Sequence, residues 1–114
     1  MMNKNYNLES VREMAGDDED FVKVIVETFL EEIPSDVKFM NEAIENDNPE
    51  LAYQFAHKMK PNLQLFGLEL MDQILVIEAW SKAKVDSVHA KEAGEKIASK
   101  VGLAEQELKM DFEL

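Results

Sequence analysis

Cysteine is absent from this chain of 114 residues, and glycine and proline are scarce, at four and three. Without cysteine no disulfide can staple the fold and no thiolate can hold a metal. With so few chain breakers, long uninterrupted elements are expected. Basic residues are also few: 12 Lys and Arg against 24 Asp and Glu leave a net charge of −12. Non-specific nucleic-acid binding depends on Lys and Arg neutralising phosphates, so a nucleic-acid partner is not expected. The same repulsion disfavours anionic lipid. Long hydrophobic runs are missing too. The longest, Ile74 to Ile77, is far below the roughly 20 residues that a membrane-spanning helix needs. The opening Met1-Met2-Asn3-Lys4-Asn5-Tyr6 has no apolar signal core and no small-residue cleavage site, so the cytoplasm is the expected compartment.

What is present suits one compact domain over 1–114, with residues 1–6 expected to form a flexible arm. The hydrophobic share of 46% is that of a globular chain. At this length roughly 60 to 70% of the unfolded surface can be buried. The initiating methionine and the lack of a linker segment lead us to expect a free-standing protein.

Apolar residues recur at intervals of three and four, the period of helices. A short first helix is predicted from Leu8 to Ala15, with Asn7 as cap and Gly16 as left-handed stop. The acids Asp17 to Asp20 then open a long helix, where negative charge suits the positive end of the dipole. An EF-hand reading of those acids fails, because the central Gly and terminal Glu are missing from the required places. Val22, Ile25, Phe29, Ile33, Val37, Met40 and Ile44 form one stripe toward Asn46. Pro34 interrupts that helix, which is expected to kink or to divide into two collinear pieces. Asn48 and Pro49 begin a third helix that runs to about Phe66 and stops at Gly67. A fourth is predicted from about Glu69 to Lys84, with an apolar face wide enough that the helix is either enclosed or partly exposed for a partner. Asp86 caps a fifth, striped by Ala90, Ala93, Ile97, Val101, Ala104 and Leu108. Four long helices with short connections and a small leading helix predict an all-α, antiparallel, up-and-down four-helix bundle.

One histidine has the wrong phase for this core. At about 100° per residue, Ala52, Phe55, Ala56, Leu63 and Phe66 lie within about 60° of Met59, whereas His57 falls at about 160°. His57 is therefore predicted to face solvent. Tyr53, Lys60, Pro61 and Gln64, at i−4, i+3, i+4 and i+7, share that side. Pro61 displaces the helical hydrogen bond to the carbonyl of His57 itself. An exposed neutral imidazole offers a nucleophilic nitrogen near neutral pH. Lys60, one turn away, can balance charge placed on it. His89, at the start of the fifth helix, shows no recognisable partners and is read as an ordinary surface residue. No His or Cys spacing suits a metal site.

The run Ala56-His57-Lys58-Met59-Lys60-Pro61-Asn62-Leu63-Gln64-Leu65-Phe66-Gly67-Leu68 resembles the signature of the histidine-containing phosphotransfer (HPt) domains of two-component phosphorelays. In that family an apolar residue, a Lys or Arg, a Gly and a second Gly follow the phosphorylated histidine at i+2, i+3, i+4 and i+10. Met59, Lys60 and Gly67 fit. Pro61 departs from the first Gly, and Asn62 with Leu63 departs from the usual small pair. The stretch Phe29-Leu30-Glu31-Glu32-Ile33-Pro34 and the residues Met71, Leu75 and Ile77-Glu78 are similar to flanking parts of the family, so the likeness covers most of the chain from Leu8.

The resemblance implies a phosphorelay carrier rather than an enzyme. His57 would take a phosphoryl group from a receiver-domain aspartate, or a hybrid kinase, and pass it to another receiver. Lys60 would stabilise it. No cofactor is expected, since the receiver would supply the acceptor aspartate and Mg²⁺. Docking is expected on a small surface of Tyr53, Leu65 and part of the fourth helix, rimmed by Lys58, Lys60 and Gln64, with Pro61 where the partner backbone approaches. The chain would be a monomer. The competing expectation is a non-phosphorylated helical adaptor that uses an HPt-like bundle as a binding surface. A histidine-kinase dimerisation domain fits less well, because no ATP-binding domain follows.

Overall fold

The computed structural model describes residues 4–114. Within them the chain forms five helices and no strand: α1 (Glu9–Ala15), α2 (Glu19–Glu45), α3 (Pro49–Leu65), α4 (Met71–Ser81) and α5 (Ser87–Asp111). α2 packs against α3 and α5, and α4 packs against the same two helices, so α2 to α5 close a ring of neighbours. α1 lies on α2, anchored by the fully buried Val11. The bundle measures 44 × 23 × 23 Å.

Caps set most of the boundaries. The Asp18 carboxylate accepts from the N–H groups of Asp20 and Phe21 at the start of α2, and the Asn48 side chain accepts from Leu51 N–H with Pro49 at the first turn of α3. These side chains satisfy donors that a helix start leaves unpaired. α1 differs slightly from expectation. Asn7 Oδ1 accepts from Glu9 N–H at 2.8 Å, and the helix begins at Glu9, with Leu8 in the cap position.

Neither internal proline divides its helix. α2 runs unbroken through Pro34, and α3 through Pro61. The α2 stripe is buried as predicted at Val22, Phe29, Ile33, Val37, Met40 and Ile44, but Val26 replaces Ile25 in the fully buried set. Taking Ile33 as zero, Val26 falls about 20° from the centre of the face and Ile25 about 80°, so Ile25 sits at the margin and only packs against the core edge. The α5 stripe is buried at every predicted position, and Gly94 is buried in addition to them. Across the centre, the Phe29 and Phe66 rings lie 4.2 Å apart at a tilt of 31°.

The connection between α3 and α4 is longer than the apolar pattern suggests. Gly67 adopts φ 63°, and Gly67 N–H and Leu68 N–H donate to the carbonyls of Gln64 and Leu63, which closes α3 with a Schellman turn. Leu68 and Leu70 are buried without being helical, because Glu69 between them has φ 57°. The fourth helix therefore starts at Met71 and not near Glu69. It stops at Ser81, where Ala83 takes φ 59° and Lys84 N–H returns to the Ala79 carbonyl.

Residues 1–6 were expected to be a flexible arm. Residues 1–3 lie outside the described residues, and the others are engaged by α5. Lys4 pairs with Asp111 at 3.1 Å, Asn5 donates from both its backbone and its side chain to Glu107, and the Tyr6 hydroxyl donates to Asp111. Burial, and then the bond to Asp111, pushes the Tyr6 phenol well above its usual range. Asn7 N–H continues the strap by donating to the Phe66 carbonyl at 2.7 Å. A Cβ on Gly67 would meet Asn7 Cβ at 2.9 Å, so Gly67 serves both the left-handed turn and this close passage.

Gly94 marks a second close approach, between α5 and α2. A Cβ there would stand 2.2 Å from Asn41 Oδ1 and 2.9 Å from Ile44 Cδ1, while Asn41 Nδ2 donates to the Gly94 carbonyl at 3.3 Å. Gly94→Val is expected to push the two helices apart and to cost about 1–3 kcal/mol as overpacking, read as a lower urea midpoint. A midpoint equal to wild type would show that this seam yields freely.

Candidate functional site

α3 carries the site, and its phase decides what faces where. Ala52, Ala56, Met59 and Leu63 are buried. His57 lies on the outside of the helix and is exposed. The half-buried Tyr53 packs its ring beside the imidazole, with centroids 5.7 Å apart and a tilt of 33°. Pro61 and Gln64 are exposed, and Lys60 and Leu65 are half-buried. Leu65 leans on the core.

The predicted residues separate into two groups around the helix. Lys60 and Gln64 point to the α4 side, where they rim a pocket of about 140 Å³ floored by Leu63, Leu70, Met71 and Ile74. Lys58 turns toward α2 and pairs with Asp36 at 3.0 Å. Asp36 is the one buried charged residue among those described, at 5% exposure. A carboxylate so placed needs a partner, so Lys58 has a structural task beside any contact with a partner protein.

Glu78, part of the family likeness, and Lys82, which the sequence did not single out, form an ion pair on α4. Glu78 accepts from Lys82 Nζ at 3.0 Å, an i to i+4 pair along α4. The Glu78 carboxyl is held below its ordinary range first by Lys82, and more weakly by Lys60 and His57. Lys82 is raised by the same bond. The basic turn that Lys58 and Lys60 suggest in one dimension is divided, because Lys58 is held by Asp36 on α2. Leu75, one turn before Glu78 and 49% exposed, adds an apolar contact on α4. The wide apolar face of that helix is therefore only partly enclosed.

Asp36 was detectable from its phase. It lies three residues after Ile33 and four before Met40, about 60° from the centre of the buried α2 face. A charge inside an apolar stripe signals a buried partner. Phe39 and Phe55, whose rings meet at 5.7 Å, carried no such signal, because pairing across helices leaves no mark in either helix alone.

His89 is not partnerless. Its Nδ1 lies 2.7 Å from Asp86 Oδ1, and its N–H donates to the same atom as part of the α5 cap. Asp86 raises the His89 pKa, and His89 lowers that of Asp86. The histidine part of this stabilisation is complete below its ordinary value of about 6.5 and lost as pH rises through the raised folded value; the aspartate part is present above about 3.9 and lost as pH falls. The cap pair is therefore strongest between about pH 4 and 6.5. Asp86→Asn keeps an N-cap acceptor but removes the charge, so the His89 titration followed by NMR is expected to drop toward the ordinary histidine value. An unmoved titration would assign the shift to another cause.

Among the described residues, no group of three or more His, Asp and Glu side chains is placed to hold a metal ion, and no helix is long and apolar enough to cross a membrane. No model of a known protein family, no curated protein and no solved structure matches the chain.

Proposed function

We propose that this protein is a phosphocarrier of the HPt type, which accepts a phosphoryl group on His57 from a receiver-domain aspartate or hybrid kinase and delivers it to another receiver. The observation that carries the reading is the exposed imidazole on the outer face of α3, with Tyr53 beside it and Lys60 one turn on. The ring of packed neighbours α2 to α5, joined by short connections, supports an antiparallel up-and-down four-helix bundle with α1 as an addition. Gly67, ten residues after His57, occupies the turn that stops α3.

The chemistry asks little of this chain. A ring-nitrogen lone pair of His57 attacks the phosphorus of the aspartyl phosphate. The N–P bond forms as the P–O bond to the carboxyl breaks, the aspartate leaves as carboxylate, and the imidazole sheds its extra proton to solvent. Transfer of this kind is mainly positioning and charge stabilisation. The receiver supplies Mg²⁺ and the carboxylate, so this protein is a carrier without autokinase activity. Lys60 offsets the charge of the phosphoryl group. Docking uses Tyr53, Gln64, Leu65 and the exposed Leu75, with Pro61 at the point of closest backbone approach.

The test is phosphoryl exchange between the intact chain and a panel of phosphorylated receiver domains. Acid-labile, alkali-stable label on the protein is the expected result. Receivers that bind without transferring label would overturn the carrier reading and leave a helical adaptor.

A further inference from the structure

The two histidines of this chain are held in different ways. His89 has Nδ1 at 2.7 Å from Asp86 Oδ1, and a ring nitrogen engaged like that has its role fixed by the bond. Among the described residues His89 alone has a ring nitrogen in a hydrogen bond or ion pair. His57 is met by a ring instead. Tyr53, one turn earlier on α3, has its centroid 5.7 Å from that of the imidazole at a tilt of 33°, within the usual separation of an aromatic pair.

The helix itself favours this contact. Side chains lean toward the N-terminus of a helix, which carries the residue at i+4 over the turn of residue i. Tyr53 is half-buried and His57 exposed, so the phenol ring is the anchored member and the imidazole the one it steadies. The tilt matters as much as the distance. The nitrogen lone pair of an imidazole lies in the ring plane, and an edge-to-face contact, with the planes near perpendicular, would aim that plane at the phenol face. At 33° it does not. Such a contact limits the swing of the side chain without consuming the nitrogen that attacks phosphorus, and orientation of the nucleophile is much of what phosphoryl transfer requires.

We propose that Tyr53 is a positioning residue, which orders the His57 side chain through ring-to-ring contact and leaves its nitrogens open to a phosphoryl donor. This inference rests on the reading of His57 as phosphoryl acceptor and gives Tyr53 a task separate from docking. The ring carries that task, not the hydroxyl.

The experiment compares wild type with Tyr53→Phe, Tyr53→Ala and Tyr53→Leu in the full chain. Leucine keeps apolar bulk at the half-buried position, should alanine loosen α3. NMR coupling constants report the rotamers of the His57 side chain, and phosphorylation of His57 is timed with phosphoramidate. That small donor needs no docking surface: its P–N bond breaks as the ring N–P bond forms, ammonia leaves, and the surplus ring proton passes to solvent. In Tyr53→Ala and Tyr53→Leu the His57 couplings are expected to move toward rotamer averaging, with phosphorylation slowed about two- to fivefold, the weight of one exposed aromatic pair. Tyr53→Phe should match wild type in both. Unchanged couplings or an unchanged rate in Tyr53→Leu overturns the proposal, as does loss of either in Tyr53→Phe or a wild-type chain that phosphoramidate cannot label. A tyrosine used only for docking would slow transfer from receivers and leave the phosphoramidate rate where it was, which also overturns it. Receivers that fail to label wild-type His57 would overturn the carrier reading, a separate result, since the couplings and the phosphoramidate rate do not involve a receiver.

Discussion

Phosphoryl exchange with a receiver domain is expected to stop completely when His57 is replaced by glutamine and to continue when His89 is. Glutamine keeps a polar side chain on the exposed face of α3, so the bundle and its docking surface should persist. It has no ring nitrogen with a lone pair able to form the N–P bond. The effect is therefore all or none, while binding to the receiver should survive. His89 offers the contrast because it too is exposed, but its Nδ1 is engaged by Asp86 in the first turn of α5. Replacing it weakens a cap pair and leaves the nucleophile untouched. Lys60→Ala should fall between the two, with transfer reduced about two- to fivefold, since an exposed cation one turn away is a modest electrostatic aid. Label counted after gel separation distinguishes the three variants, and label persisting in His57→Gln would remove that residue from its assigned role.

A large loss of stability is expected from Lys58→Met. Asp36 is 5% exposed and its carboxylate is met by Lys58 at 3.0 Å. Removing the ammonium leaves a nearly buried charge without a counterion. Breaking a fully buried pair costs about 3–5 kcal/mol, but the lysine side here is 58% exposed and water can partly replace it, so about 2 kcal/mol is expected. For a chain of this size that is a fall of roughly 8 °C in Tm. The double variant Lys58→Met/Asp36→Leu should recover most of the loss, because an apolar pair of similar volume removes the stranded charge. Urea unfolding measures both variants. A midpoint for Lys58→Met at the wild-type value would show that Asp36 does not depend on this lysine. The same substitution should leave phosphorylation of His57 by phosphoramidate near wild type wherever the chain is folded, since Lys58 points to α2 and Lys60 to α4.

The helices were legible because their causes are local. Asp18, Asn48 and Asp86 announce helix starts through hydrogen bonds to backbone groups two or three residues away. The α5 stripe needed only the helical period. Prediction erred where apolar spacing imitates a helix without being one: Leu68 and Leu70 are buried from a non-helical connection, and periodicity cannot separate that case from a first helical turn. It erred again at His89, where an Asp three residues earlier was read only as a cap. The outward phase of His57 followed from the angular position of Met59 and its neighbours, and burial of Ala52, Ala56, Met59 and Leu63 agrees with it.

The sequence by itself determined the all-helical class, the starts of α2, α3 and α5, and the side of α3 on which His57 stands, because these depend on interactions within a few residues. Tertiary structure decided the rest of the site. Lys58 and Lys60 are two residues apart and look like one basic patch. A rotation of about 200° between them sends one to a buried aspartate on α2 and the other to the wall of α4. The pair Glu78 and Lys82 is visible as an i to i+4 spacing, but the packing of its helix on α3 is a tertiary fact. The strap from Lys4 to Asn7 likewise joins residues more than a hundred positions apart at Asp111 and Glu107. Such contacts depend on which helix faces are buried against each other, and a single helix carries no record of its neighbour's register.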